Sequence, residues 1–215
     1  MKVNDNEKKK RFTVFGVEFI YLALFGILFA FIGWFVENAF KFAVSGVIDS
    51  RFHILPFISP YGLIPFGFHL ALGTPDDITF FGKKMFKEKN TKTVVLSNLI
   101  AWFSICAMVF LGELAIGNAW DVLFGVQLWN YSKLPLHLTQ YTSVVSTFGF
   151  GTGAFLIFKF FYTPILNFIR KKIDYKVAKL TVGILGTLIV LDTVRMMLTI
   201  IIFGKAPIFW RFDFW

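Results

Sequence analysis

The chain has 215 residues, of which 56% are hydrophobic and 16% charged, and its mean hydropathy is +0.67. This composition excludes an ordinary solvated globular domain and is typical of a helical membrane protein. The net charge of +9 does not indicate nucleic acid binding, because the lysines and arginines form short clusters between apolar runs and not one basic face.

Apolar windows of about 19 residues predict four transmembrane helices and one less regular span. In chain order the five predicted spans are residues 14–36, 52–73, 94–117, 142–169 and 180–203. The second run contains Pro56, Pro60 and Pro65, which favours a helix broken by proline or a re-entrant segment. We expect an all-α integral membrane protein in which residues 1–215 form a single membrane domain.

The basic residues of the loops predict the orientation. If all five segments cross with the N-terminus inside, fifteen of the 22 lysines and arginines are cytoplasmic, five are outside, and Lys159 and Arg195 lie within spans. The fifteen are Lys2, Lys8, Lys9, Lys10, Arg11, Lys83, Lys84, Lys87, Lys89, Lys92, Arg170, Lys171, Lys172, Lys176 and Lys179. This distribution predicts a multi-pass membrane protein with its N-terminus inside, in the cytoplasm, and its C-terminus outside. The aromatic outer connections 37–51 and 118–141 are predicted to form short interfacial helices.

Ionisable residues inside apolar spans are costly and are therefore candidates for function. Asp192 and Arg195 lie within the last span at spacing i, i+3, so they share one helix face. They either neutralise each other as a structural pair, or Asp192 holds Arg195 in place to anchor an anionic ligand.

Two carboxylates are predicted at similar depth near the outer boundary, Glu37 in the first span and Glu113 in the third. Convergent carboxylates could bind a cation, carry a proton or act as acid and base. The alternative is structural: Glu37 precedes Lys41 by four residues, which favours a helical ion pair, and Glu113 could reach interfacial water.

Motifs for other chemistry are not evident. The single Cys106 excludes an intramolecular disulfide, and His53, His69 and His137 do not have the spacing of a compact metal site. The sequence contains no familiar nucleophile motif and no Walker A motif, so ATP, if it is used, is hydrolysed by another chain. We predict no catalytic residue, metal or cofactor.

Glycines at positions 149 and 153 form a small-xxx-small pattern at the start of the fourth span. This pattern predicts close helix packing through Gly149 and Gly153.

Two stretches carry a family resemblance. The first runs from Phe31-Ile-Gly-Trp-Phe-Val-Glu37 through Arg51-Phe52 to Ser59-Pro-Tyr-Gly62, and the second from Gly112-Glu113 through Trp129-Asn-Tyr-Ser132 to Pro135. In order and spacing they resemble the bacterial membrane proteins known as putative ABC-transporter type IV, or CmpB-like, permeases, although Asn130 stands where that family usually has Asp. The resemblance implies a permease-type protein of the bacterial cytoplasmic membrane and adds Arg51, Tyr61, Asn130, Tyr131 and Ser132 to the site candidates.

The leading hypothesis is a transporter or transport-system subunit that binds a small polar or lipid-derived ligand in an outward-facing polar cavity. The expected partners are membrane lipid and either a separate ATPase subunit or further copies of the chain. The substrate-binding candidates are Glu37, Arg51, Tyr61, Glu113, Asn130, Tyr131, Asp192 and Arg195. Two alternatives stay open: an enzyme acting on a lipid or lipid-linked substrate at the outer interface, and an assembly protein whose charges only fix helix registry.

Overall fold

A computed structural model describes residues 11–215, so Lys2, Lys8, Lys9 and Lys10 of the orientation count lie outside the described residues. The helices are α1 (Phe19–Ser45), α2 (Ser59–Leu72), α3 (Thr91–Phe124), α4 (Val144–Ile157), α5 (Thr163–Lys172) and α6 (Tyr175–Phe203). A π-helical turn, Phe158–Tyr162, joins α4 to α5, so the chain is helical throughout Val144–Lys172. The short strands are β1 (Thr13–Val14), β2 (Val17–Glu18), β3 (Val47–Asp49), β4 (Gly73–Thr74), β5 (Asp77–Phe80), β6 (Lys83–Lys84) and β7 (Arg211–Asp213). They pair antiparallel as β1 with β2, β3 with β7, and β4 with β5 with β6.

The all-α membrane class is confirmed. Within residues 11–215, four helical segments are long and apolar enough to cross a membrane: α1, α3, Val144–Lys172 and α6. The helix in the proline-rich run, α2, has 14 residues, which is about 21 Å at the usual helical rise. That length is less than the ~30 Å of a hydrocarbon core, so a fifth crossing stays a prediction.

The proline-rich run is broken as its sequence indicates. Residues 50–58 have no helix or strand, and α2 begins at Ser59 with Pro60 in its first turn. The amide of Ile58 donates to the carbonyl of Ala30, 3.0 Å away, and Gly62 lies against Gly26. The segment 50–72 therefore runs antiparallel to α1, first as irregular backbone and then as helix.

Contacts between elements define two ends of the bundle. At the end where α1 begins, which we call the near end, Arg170 pairs with Glu18 at 2.8 Å and the Tyr21 hydroxyl donates to the carbonyl of Ile173. At the opposite end, the far end, β3 follows α1 and pairs with β7 near the C-terminus. The buried apolar core lies toward the near end and includes Tyr21, Leu22, Phe25, Phe68, Leu72, Ala101, Ile105, Phe158, Tyr162, Leu166 and Ile169.

The helix ends correct the expectation of short interfacial helices in 37–51 and 118–141. Instead, α1 continues to Ser45 and α3 to Phe124, where Gly46 (φ 63°) and Gly125 (φ 64°) end the helices in the left-handed conformation. Apolar side chains continue past the expected membrane boundary, so the helices stop only where glycine allows the chain to turn. Strands β3 and β7 and turns make up the rest of the far end.

The close packing predicted at Gly149 and Gly153 is wrong, because a Cβ at either position would meet nothing within 4 Å. Gly151, between them, makes the contact: a Cβ there would lie 2.5 Å from the sulfur of Cys106 on α3. Two residues advance a helix by about 200°, so Gly151 points to the opposite face from its neighbours. That face is the one that packs on α3.

Candidate functional site at the far end

Glu37 is the centre of a hydrogen-bonded cluster at the far end. Arg51 Nη2 donates to Glu37 Oε2 at 2.8 Å, and the Tyr61 hydroxyl donates to Oε1 at 2.7 Å. These partners come from the irregular segment and from the start of α2. Tyr61 approaches α1 this closely because residue 33 is glycine, where a Cβ would lie 2.3 Å from the ring of Tyr61.

A second carboxylate, Asp49, is fully buried beside this cluster. Lys41 forms an ion pair with Asp49, the backbone amide of Asp49 donates to Asn38 Oδ1 at 2.9 Å, and the amide of Arg51 donates to Asp49 Oδ1 at 2.9 Å. Lys41 therefore pairs with Asp49 and not with Glu37, which corrects the helical ion pair expected from spacing. Asp49 and Asn38 were missed from sequence; the available signal was an amide inside an apolar run one residue after Glu37.

Asp192 and Arg195 form hydrogen bonds to the irregular backbone of residues 52–55. Arg195 Nε donates to Asp192 Oδ1 at 2.9 Å, so the expected i, i+3 contact is present. Asp192 Oδ2 also accepts from the backbone amides of Ile54 (3.0 Å) and Leu55 (3.1 Å). Arg195 Nη2 donates to the carbonyl of Phe52 at 3.0 Å, and its guanidinium lies 4.4 Å from the Phe209 ring. Both charges of the pair thus bind the segment that precedes α2.

Glu113 on α3 has hydroxyl partners. Ser146, at the start of α4, donates to Glu113 Oε2 at 3.2 Å, and the Tyr131 phenol lies close enough to interact with the same carboxylate. The charge of Glu37 also acts on the Tyr131 phenol, which lies near Tyr61. Burial, with the neighbouring Glu113 charge, raises the pKa of Tyr131, so its phenol stays protonated at physiological pH and acts as a donor. Ser146 was missed from sequence because a serine near a helix start is ordinarily a cap, a role it also fills here.

The structure brings Glu37, Arg51, Tyr61, Tyr131 and Glu113 into one group, which we call the far-end cluster. Asp192 and Arg195 form a separate group, connected to the first through residues 49–55. Asn130 belongs to neither group. Its side chain is exposed, donates a hydrogen bond to Gln127 and accepts one from the backbone amide of Ser132, which is also exposed.

The three histidines lie apart. His53 is buried with Nδ1 3.5 Å from Asp192, whereas His69 is buried at the near end against the carbonyl of Val14. His137 is exposed and bonds the carbonyl of Leu134. Within residues 11–215, no group of three His, Cys, Asp or Glu side chains is arranged to hold a metal ion. The far-end cluster presents carboxylate, guanidinium and phenol groups.

Comparison with known proteins identifies a family. A family model described as "Putative ABC-transporter type IV" matches residues 24–197, which includes every residue of the far-end cluster and the Asp192 pair. No curated protein and no solved structure matches the chain.

Proposed function

The chain belongs to the family described as "Putative ABC-transporter type IV", and from that premise we propose that it is a transporter or transport-system subunit whose ligand, small and polar or lipid-derived, binds at the far-end cluster. The observation that carries the proposal is the hydrogen bonding of Glu37 to Arg51 and Tyr61, beside a phenol, Tyr131, on which the charges of both Glu37 and Glu113 act. Glu37, Glu113 and Tyr131 come from α1, α3 and the loop between α3 and α4, so a bound ligand would connect three elements.

Some polar groups of the far-end cluster have fewer hydrogen-bond partners than others. Glu37 is paired with Arg51, whereas Glu113 receives only hydroxyl donors from the described residues. Arg51 Nε is buried and has no hydrogen-bond partner within residues 11–215. A buried donor without a partner costs free energy, and a ligand acceptor placed at Arg51 would remove that cost. Glu113 would receive a donor or a positive group of the same ligand.

The membrane arrangement that fits this role has five crossings with the N-terminus in the cytoplasm. Segment 50–72 would be the second crossing, made of irregular backbone and the short helix α2. Irregular backbone at membrane depth is tolerated where protein satisfies its polar groups, and Asp192 and Arg195 do so here through Ile54, Leu55 and Phe52. Discontinuous helices of this kind commonly line transporter sites. The far-end cluster would then face outward.

The source of energy in this proposal lies in another chain. The sequence lacks a Walker A motif, so an ABC-type system would require a separate ATPase subunit. The near end presents basic loops, including Lys83, Lys84 and Lys87, on the side where such a subunit would bind.

Native mass spectrometry of the protein, extracted gently from its own membrane, tests this function. We expect a complex with an ATPase-sized subunit and a retained small ligand that is lost in Glu113→Gln. Asp121→Asn is the matched control, because Asp121 is also a carboxylate on α3 but bonds Tyr141 and Gln140 instead. A homo-oligomer without an ATPase, or ligand retention unchanged in Glu113→Gln, would overturn the proposal.

A further inference from the structure

Lys159 is a charged side chain on a surface that the bilayer should cover. It lies in the π-helical turn of the Val144–Lys172 segment and is exposed. Its ammonium is 5.7 Å from the ring centre of Phe155 and 5.5 Å from that of Phe160. Within residues 11–215 it makes no hydrogen bond or ion pair, and a lysine facing hydrocarbon without an anionic partner is costly.

Lys159 lines an open groove of about 400 Å³ between α3 and the helix α4. The floor contains Trp102, whose indole N–H donates to Thr152 at 3.0 Å, and the walls are Val95, Asn98, Leu99, Phe155 and Leu156. An adjoining groove of about 340 Å³ shares Val95 and Leu99 and is bordered by Thr91 and Lys92 at the start of α3. Together they form a track with Lys92 and Lys159 at its near-end side and mainly apolar walls that continue to Trp102, which we call the α3–α4 groove.

The depth of Lys159 agrees with an interfacial partner. Thr152 lies level with Trp102, and Lys159 follows Thr152 by seven residues, or about 10 Å toward the near end. Because α3 and α4 run in opposite directions, this brings Lys159 close to the level of Val95, near the start of α3. A lysine side chain at that depth reaches the headgroup region by extending along the helix surface.

The long helical segments of a second copy offer no free carboxylate to Lys159. Their acidic residues are Glu37, Glu113, Asp121 and Asp192. Each already accepts hydrogen bonds within its own chain. The residues that line the α3–α4 groove include no acid either, so two copies packed through it would leave Lys159 without a partner from these segments.

We propose that the α3–α4 groove binds an anionic phospholipid from the near-end leaflet, with its phosphate at Lys159 and Asn98 and an acyl chain along Leu99, Trp102 and Phe155. Lys92, one helical turn from Val95 toward the start of α3, adds positive charge near the same headgroup level. This site is distinct from the far-end cluster, so it does not depend on the transport function proposed above. The ligand class follows from the charge: an ammonium with hydrocarbon walls matches a phosphate ester that carries acyl chains.

Fluorescence quenching by brominated lipids tests the proposal, because Trp102 lies in the groove. The purified full-length chain is placed in phosphatidylcholine vesicles in which a fixed fraction of lipid is acyl-brominated phosphatidylglycerol or acyl-brominated phosphatidylcholine. The difference between wild type and Trp102→Phe isolates the signal of Trp102. We expect phosphatidylglycerol to be preferred at Trp102, and Lys159→Gln to reduce that preference by about fivefold, the factor expected for one basic residue near an anionic leaflet.

Lys179→Gln is the matched control, since Lys179 is exposed on α6 and does not line the groove; it should keep the preference. Equal quenching of Trp102 by the two lipids overturns the proposal. So does a preference that survives Lys159→Gln. Absence of quenching by either lipid also overturns it, because a partner helix or a second copy would then cover the groove. If Lys159→Gln does not fold, the wild-type comparison of the two lipids still decides.

Discussion

Asp192 on the last helix accepts a hydrogen bond from the backbone amide of Leu55, 3.1 Å away and 137 residues earlier in the chain. The same carboxylate holds Arg195, which in turn bonds the carbonyl of Phe52. Asp192 and Arg195 therefore do more than neutralise each other. They also form hydrogen bonds with backbone groups that have no partner in a helix or strand. This arrangement explains why a non-helical segment is tolerated between two apolar elements.

Removing one charge of the Asp192 pair should be worse than removing both. Asp192→Asn leaves the Arg195 guanidinium without its buried counter-charge, and we expect a loss of about 3 kcal/mol in the free energy of unfolding. The double variant Asp192→Asn, Arg195→Gln removes the uncompensated charge and should recover part of that loss. Equilibrium unfolding in mixed detergent micelles measures both. A double variant less stable than the single one would show that the hydrogen bonds to Phe52, Ile54 and Leu55 outweigh the charge.

The two far-end glutamates should differ in their effect on stability. Glu37→Gln removes the carboxylate that receives Arg51 and Tyr61, and loss of its charge-assisted bond should lower the free energy of unfolding by about 2 kcal/mol. Glu113→Gln should lower it by less than half as much, because the Ser146 and Tyr131 hydroxyls can donate to an amide oxygen. Thermal unfolding of the two variants in one detergent compares them directly. Equal losses would mean that Glu113 has a charged partner in the folded protein.

Gly33 should not tolerate a methyl group. In Gly33→Ala the new Cβ would lie 2.3 Å from the Tyr61 ring, and relieving such an overlap typically costs about 1–3 kcal/mol. Displacement of Tyr61 should also break its bond to Glu37. Gly67→Ala on α2 is the control: a Cβ there meets nothing within 4 Å, so the variant should be neutral or slightly more stable. Thermal unfolding of both variants measures the difference, and similar melting temperatures would contradict the packing of α1 against α2.

The proposed orientation predicts which cysteines can be labelled from outside. In a Cys106→Ala background, Lys133→Cys in the far-end loop should react with a membrane-impermeant maleimide on intact cells. Lys87→Cys at the near end should react only after the cells are permeabilised. Both side chains are exposed, so accessibility to reagent reports the side of the membrane and not burial. Labelling of Lys87→Cys from outside with Lys133→Cys protected would mean that segment 50–72 re-enters, and labelling of both positions on one side would mean that α3 does not cross.

Much of the architecture could be predicted because membrane spans depend on local composition. The runs of apolar residues placed α1, α3, Val144–Lys172 and α6 with bounds that differ from the observed ones by up to nine residues, at the end of α1, and Pro56 and Pro60 located the break before α2. Glu37 and Glu113 were expected at similar depth, and the charges of both act on Tyr131. The helical ion pair of Lys41 with Glu37, considered as the structural alternative, does not form, because Asp49 reaches Lys41 from β3.

By itself the sequence determined that this is a membrane protein, that it is helical, and which charged residues in its apolar spans need a partner. Those properties follow from transfer free energies that each residue or short run carries independently of its neighbours in space. Only the tertiary structure decided which partner satisfies each charge: Asp49 for Lys41, backbone amides of residues 54 and 55 for Asp192, and hydroxyls for Glu113. Hydrogen bonds depend on distances of a few ångströms between elements far apart in the chain, and spacing along one helix does not contain that information.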